Sequence, residues 1–341
     1  MNAPALAPWL DRHPPASVLV FRALQVGDML CAVPALAALR HRLPHAHVAL
    51  VGLPWAHQFA RRFAQLVDEF IPFPGHPALP ERSGAAWAFP EFRDAVRRRR
   101  FDLALQLHGS GRVTNALVAD FGAVWQAGFE EAPTGCGAPF LRYPERGHEI
   151  HRLLALTTHL GAASTGDRLQ FPLLANDANE LAAAGLPLPE GPYVCLHPGA
   201  RDPARRWPVA RFAELGDALA GLGLQVVLTG SADERPLADE VGRAMRAPAI
   251  NAASAISLGA MAQLMAASRL LVANDTGVSH IACGLSLASV IVFRASDMAR
   301  WAPLDAARHR AVWDPDGVRA ADVRAEALDL LERVSASSAS A

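Results

Sequence analysis

Short polar residues interrupt an apolar run at Val272-Ala273-Asn274-Asp275-Thr276-Gly277-Val278-Ser279-His280-Ile281-Ala282. Leu270-Leu271-Val272 has the pattern of a buried parallel strand, and Asn274 to Gly277 supply side chains that cap a helix start. A helix beginning there aims backbone N–H groups at the carboxyl edge of a sheet, an anion site suited to a diphosphate. His280 falls one turn beyond Thr276 on the same face. It can bond a phosphate or sugar hydroxyl, or pack as an ordinary histidine. Two more strand ends in the second half carry small polar loops, His197-Pro198-Gly199-Ala200 to Arg205-Arg206-Trp207-Pro208 and Gly230-Ser231-Ala232-Asp233-Glu234. Gly199 lets backbone approach a ligand closely, while Arg205 and Arg206 either neutralise a leaving diphosphate or form a solvated pair.

In the first half, Gly27-Asp28 follows an apolar run, so Asp28 is placed to take a proton from an acceptor hydroxyl or to cap a helix. His108, after another apolar run, is placed to hold an acceptor or is a loop histidine without a role. Other candidates read as structural. Asp314-Pro315-Asp316 has the letters of an Asp-x-Asp metal motif but the proline and Gly317 of a turn. His148 and His151 share a helix face without a third ligand. Arg97 to Arg100 form a solvated helix end that, with Arg61-Arg62, offers a lesser alternative of an anionic acceptor or membrane surface.

The elements that must hold these residues alternate between strand and helix. Ser17–Phe21, Val48–Gly52, Glu69–Ile71 and Phe101–Leu107 read as strands of one parallel sheet, with a helix through Leu30, Val33, Leu36, Leu39 and Leu43. Thr157 to Gly191, rich in Gly and Pro, reads as a linker. Alternation resumes with strands Tyr193–Leu196, Gln225–Thr229, Leu270–Ala273 and Ser289–Phe293, and helices Val209–Leu222, Asp233–Met245 and about Ala320–Val334. The expectation is an α/β chain of two doubly wound domains, 1–165 and 166–341, facing across a cleft, with the last helix packing back on the first domain.

Composition narrows the function. The 341 residues are 51% hydrophobic with net charge −1, which gives no global signal for nucleic acid. All 32 basic residues are arginine, so mechanisms that need a phosphate-loop or Schiff-base lysine are excluded. No G-x-G-x-x-G follows a strand, which disfavours a nicotinamide dehydrogenase. Cys31, Cys136, Cys195 and Cys283 are far apart and read as buried free thiols rather than disulfide or metal ligands. The first 17 residues lack an apolar core of signal-peptide length, and Ile256–Ala273 is interrupted by Gln263 and Arg269. A cytoplasmic protein is expected.

Asp275-Thr276-Gly277-Val278-Ser279-His280-Ile281-Ala282 resembles the signature of glycosyltransferase family nine, the lipopolysaccharide heptosyltransferases. His197-Pro198-Gly199 to Arg205-Arg206-Trp207-Pro208 resembles the second block of that family. Phe21-Arg22 to Gly27-Asp28 with Val33-Pro34-Ala35-Leu36 resembles its N-terminal block. The likeness spans nearly the whole chain in the right order. It implies a GT-B fold and inverting transfer of heptose from ADP-heptose to a lipopolysaccharide inner-core or related acceptor, with no cofactor and no catalytic metal. By that resemblance Asp28 is the general base. Gly199, Ala200, Arg205, Arg206, Ser231, Asp275, Thr276, Gly277 and His280 hold the donor, and Gly27, His108 and Arg112 face the acceptor. A monomer is expected, and the arginine runs allow it a peripheral contact with the inner membrane surface. The chain departs from the family where Arg205 or Arg206 stands for a phosphate-binding lysine in a loop one residue longer, and its adenosine-side loop Gly230–Glu234 matches loosely. A family member using another sugar or acceptor, a GT-B-like sugar-nucleotide epimerase and a two-lobed binding protein are the rival readings.

Overall fold

Continuous runs of Val, Leu, Ile and Phe suit strands covered on both faces, and such runs form the centres of two parallel sheets. The computed structural model describes residues 7–81, 86–132 and 139–339. The chain divides into two units, Met1–Asp167 and Arg168–Ala341.

In the first unit β1 (Ser17–Phe21), β2 (His47–Gly52), β3 (Glu69–Pro72), β4 (Leu103–Gln106), β5 (Trp125–Glu130) and β6 (Phe140–Arg142) lie in the order β3-β2-β1-β4-β5-β6, all parallel. In the second, β7 (Tyr193–His197), β8 (Gln225–Leu228), β9 (Ala249–Asn251), β10 (Leu271–Asn274), β11 (Ser289–Phe293) and β12 (His309–Trp313) lie in the order β12-β11-β10-β7-β8-β9, again all parallel. In each sheet the chain leaves the two central strands in opposite directions. That divergence opens a crevice at the carboxyl edge, between β1 and β4 and between β7 and β10. Val18 to Phe21 and Val290 to Phe293 are at most 1% exposed. Each such side chain stabilises its sheet by about 1.5–3 kcal/mol relative to exposure.

Several elements differ from the sequence expectations. The single helix expected through Leu30 to Leu43 is two, Val26–Cys31 and Val33–Arg42. Pro34 in the first turn of the second has no N–H to donate and its ring opposes continuation of the preceding turn, so the chain restarts at Ala32. β5, β6, β9 and β12 lack long apolar runs, being short or rich in polar residues, and go beyond the strands read from sequence. The expected linker contains a helix, Asp177–Ala183, packed against the helix Leu258–Ala266. The last helix, Ala320–Ala339, packs on β11, β12 and the helix Val209–Ala220 of its own unit, where Val323, Ala327 and Leu330 join the core. Arg62 is buried and so does not join Arg97 to Arg100 in a face toward an anionic acceptor or membrane. Among the described residues Cys31, Cys195 and Cys283 form no disulfide; Cys31 and Cys195 are buried, burial pushing the Cys195 thiol up to about 12, Cys283 is half-buried, and Cys136 lies outside the described residues. No described helix is long and apolar enough to cross a membrane.

The β11–β12 register places Ser289 opposite His309, and the Ser289 hydroxyl lies 2.8 Å from His309 Nδ1. Burial lowers the His309 imidazole to about 4, with Asp305 opposing and Arg308 adding to the shift. The unfolded chain therefore binds this proton near pH 6.5 while the folded chain resists it, so stability falls as pH drops from about 6.5 towards 4. Between pH 7 and 5 the loss from this group is about 2 kcal/mol. Urea unfolding should show it, and His309→Asn should flatten that slope. An unchanged slope in the variant refutes the assignment.

Candidate functional site

The second unit brings three loops to the carboxyl edge of its central strands. β10 ends in Asn274, which is fully buried and spans to the neighbouring loop. Its Nδ2 donates to the carbonyls of Pro198 (2.8 Å) and Gly199 (3.2 Å), and its Oδ1 accepts the Trp207 N–H at 2.8 Å. One amide thus fixes both ends of the arginine loop. Trp207 is 2% exposed, and its indole donates to Asp314 Oδ2 at 2.7 Å. Asp314 is therefore a buried anchor: it also accepts the Val318 and Arg319 N–H groups. Burial acts to raise its carboxyl, but the Trp207 and backbone hydrogen bonds outweigh that and hold it below the ordinary carboxylate range.

Past Asn274, Asp275 is 3% exposed and Thr276 is the N-cap of the helix Gly277–Gly284, its Oγ1 accepting the Val278 N–H at 3.3 Å. Arg205, at the end of the short turn Pro203–Arg205, brings Nη1 to 3.6 Å from Asp275 Oδ2 with its side chain 40% exposed. Arg206 turns back on its own loop, its Nε donating to the Ala200 carbonyl at 2.9 Å, while its carbonyl accepts from Arg294 at 2.6 Å. The structure therefore separates the two arginines that the sequence left equivalent. His280 is buried, 6.1 Å from Trp301 between ring centroids.

The third loop joins the first through Glu234. Its Oε2 accepts the Ser231 N–H (2.9 Å) and hydroxyl (3.1 Å), a capping box, and lies 3.8 Å from His197 Nε2. Burial drives the His197 imidazole below its ordinary value, Glu234 opposing, and its Nδ1 lies 3.1 Å from Thr229 Oγ1.

In the first unit, Asp28 lies inside the first turn of the helix Val26–Cys31, whose N-cap is Gln25. It is not the cap, so the structural reading of Asp28 from sequence falls. A carboxylate in that turn complements the helix dipole. Gly27 is buried beside it. His108, on the loop after β4, stacks on Phe21 with ring centroids 5.3 Å apart, and its Nδ1 accepts the Ala23 N–H at 3.3 Å. Its Nε2 lies 3.5 Å from Glu81 Oε1. Asp28 and His108 thus follow the two central strands of one sheet, and Arg112 is exposed on the same loop as His108. His148 is the N-cap of the helix Glu149–Leu160, accepting the Ile150 N–H at 3.2 Å, while His151 lies 2.9 Å from Asp167, and the two rings stand 5.7 Å apart between centroids. Among the described residues, no group of three or more His, Cys, Asp or Glu is arranged to hold a metal ion.

A family model described as glycosyltransferase family 9 (heptosyltransferase) matches residues 90–326. The chain belongs to glycosyltransferase family 9. This family 9 transferase is 28% identical to lipopolysaccharide heptosyltransferase 2 of Escherichia coli strain K12, over 300 residues that span 81% of this chain and 82% of that one. It shares its fold with a family 9 glycosyltransferase from Veillonella parvula (TM-score 0.79, 21% identity, 93% of this chain and 97% of that one). It also shares it with E. coli ADP-heptose LPS heptosyltransferase II (TM-score 0.76, 23% identity, 93% and 99%). The two doubly wound units of the transferase are the GT-B fold that the resemblance implied.

Sequence reading missed the role of Glu234, although its place three residues after Ser231 is the signature of a capping box. It also missed a second requirement at Gly199. A Cβ there would fall 2.2 Å from Glu234 Oε1, so the glycine makes room for that carboxylate. Gly199→Ala in the transferase should displace Glu234 from Ser231 and His197. That carboxylate is the far end of a flexible side chain and can swing aside, so the expected cost is about 0.5–1.5 kcal/mol of stability, from the lost capping-box bonds. In a Glu234→Ala background the same substitution should cost little, and a double-mutant cycle by urea unfolding reads the difference. Additive losses would exclude the contact as the cause.

Proposed function

We propose that this transferase moves a heptose from ADP-heptose to a hydroxyl of a lipopolysaccharide inner-core or related acceptor, with inversion. The observation that carries the reading is the placement of Arg205, Asp275 and the capped helix Gly277–Gly284 at one switch point, with Asp28 at the equivalent edge of the other sheet. In this reading the second unit holds the donor and the first unit the acceptor.

The acceptor oxygen bonds the anomeric carbon as the bond from that carbon to the diphosphate oxygen breaks. The bonding pair leaves with the diphosphate, and the hydroxyl proton passes to Asp28. The transition state has oxocarbenium character, so positive charge grows on the sugar and negative charge on the leaving group. Arg205 and the first turn of the helix after Thr276 meet that negative charge. Asp275, close to Arg205, is suited to sugar hydroxyls or to balancing the arginine between turnovers, and Gly199, Ala200, Ser231 and His280 complete the donor surroundings.

The discriminating experiment offers ADP-heptose, UDP-sugars and GDP-sugars to the enzyme with a truncated lipopolysaccharide acceptor, and follows glycosylated product by mass spectrometry. Product from ADP-heptose alone supports the reading. Product from a UDP-sugar alone moves the protein to another donor within the same fold, and turnover of donor without acceptor moves it to epimerase chemistry.

A further inference from the structure

We propose that Arg22 is a positioning residue for proton transfer: its guanidinium holds the Asp28 helix and the His108 loop in one register. The proposal rests on the reading of Asp28 as the base. Arg22 directly follows β1 and is 1% exposed. Its Nε donates to the Asp28 carbonyl at 3.0 Å, Nη1 donates to the Leu107 carbonyl, and Nη2 pairs with Glu149 Oε1 at 3.1 Å. The first carbonyl belongs to the base residue itself. The second belongs to the residue before His108. One rigid fork therefore ties together the segments that leave β1 and β4 in opposite directions.

Glu149 sets the orientation of that fork. It is 5% exposed in the first turn of the helix Glu149–Leu160, with Arg152 Nη1 at 3.7 Å from its other oxygen. Arg152 is anchored in turn by the Glu145 carbonyl at 2.6 Å and the Tyr143 hydroxyl at 3.2 Å. Lysine at position 22 would keep a cation beside Glu149 but would lack the planar fork that reaches three acceptors. Misplacing a reacting group by about 1 Å costs on the order of 100-fold in rate, so the signature is a loss in turnover rather than in donor binding.

The test uses the full chain with Arg22→Lys, Glu149→Gln and, in parallel, Asp28→Asn. Transfer is measured for kcat and both KM values, ADP binding by calorimetry, and folding by thermal unfolding. Arg22→Lys should lower kcat by about 10–100-fold and Glu149→Gln by about 3–10-fold, with donor KM and ADP affinity within about twofold of the parent. A folded Arg22→Lys enzyme with parental kcat, or a loss confined to donor KM, overturns the proposal. If Arg22→Lys does not fold, a folded Glu149→Gln enzyme with parental kcat overturns it equally. Parental turnover by Asp28→Asn would remove the base and this proposal together, whereas an inactive Asp28→Asn beside a fully active Arg22→Lys removes the positioning role alone.

Discussion

Asp28→Asn is expected to lower kcat for transfer by about 10²–10⁴-fold while leaving donor KM nearly unchanged. The amide matches the carboxylate in shape but cannot accept the acceptor proton at neutral pH. Asp28 is not the N-cap of its helix, so no cap is lost. The favourable charge in the first turn that the variant gives up is worth about 0.3–1 kcal/mol. A steady-state transfer assay beside a thermal melt separates the two effects. Parental turnover in a folded variant would leave Asp28 as a helix-dipole residue and return the search for a base to its neighbours after β1 and β4.

The second large effect separates adjacent arginines. Arg205→Ala should cost about 10²–10³ in kcat, because a donor aimed at charge developing on the leaving diphosphate acts chiefly in the transition state. Arg206→Ala should cost about tenfold and appear mainly in donor KM, since its Nε bond to the Ala200 carbonyl shapes the loop. The contrast follows from direction: Arg205 reaches Asp275, whereas Arg206 folds back on its own loop. Arg205→Lys should restore part of the rate, retaining the charge without the bidentate fork. Pre-steady-state measurement of transfer in the three variants checks the order, and equal losses for Arg205→Ala and Arg206→Ala would refute it.

The parts legible in the sequence were those written in local pattern. Ser289–Phe293 reads as a strand because five successive side chains are buried, and Thr276 reads as a cap because the residues around it are a strand end and a helix start. β12 escaped because its polar His309 and Arg310 mask a strand that is paired on one side only, at the sheet edge. Partnerships across long separations were illegible. Trp207 and Asp314 are 107 positions apart and Trp207 and Asn274 are 67 apart, and nothing local announces either bond. Asp314 read as the start of a turn, which it is, its carbonyl accepting the Gly317 N–H at 3.3 Å, but nothing local showed that its carboxylate is also the acceptor for a buried indole. Gly199 showed the opposite limit: its need for space was readable, but not that Glu234 stands against it. Arg205 and Arg206 could not be ranked from adjacency, because the turn ending at Arg205 decides which guanidinium meets Asp275.

The shared strand order of the two sheets places each crevice where connectivity diverges, whatever side chains surround it. In the proposed function recognition falls to a few short segments after β1, β4, β7, β8 and β10, outside the strands themselves. Such a scaffold tolerates experimentation. A lysine can be exchanged for an arginine, or a loop lengthened by a residue, without disturbing the hydrophobic layers beneath. Diversification of substrates then becomes a matter of editing margins rather than inventing architecture.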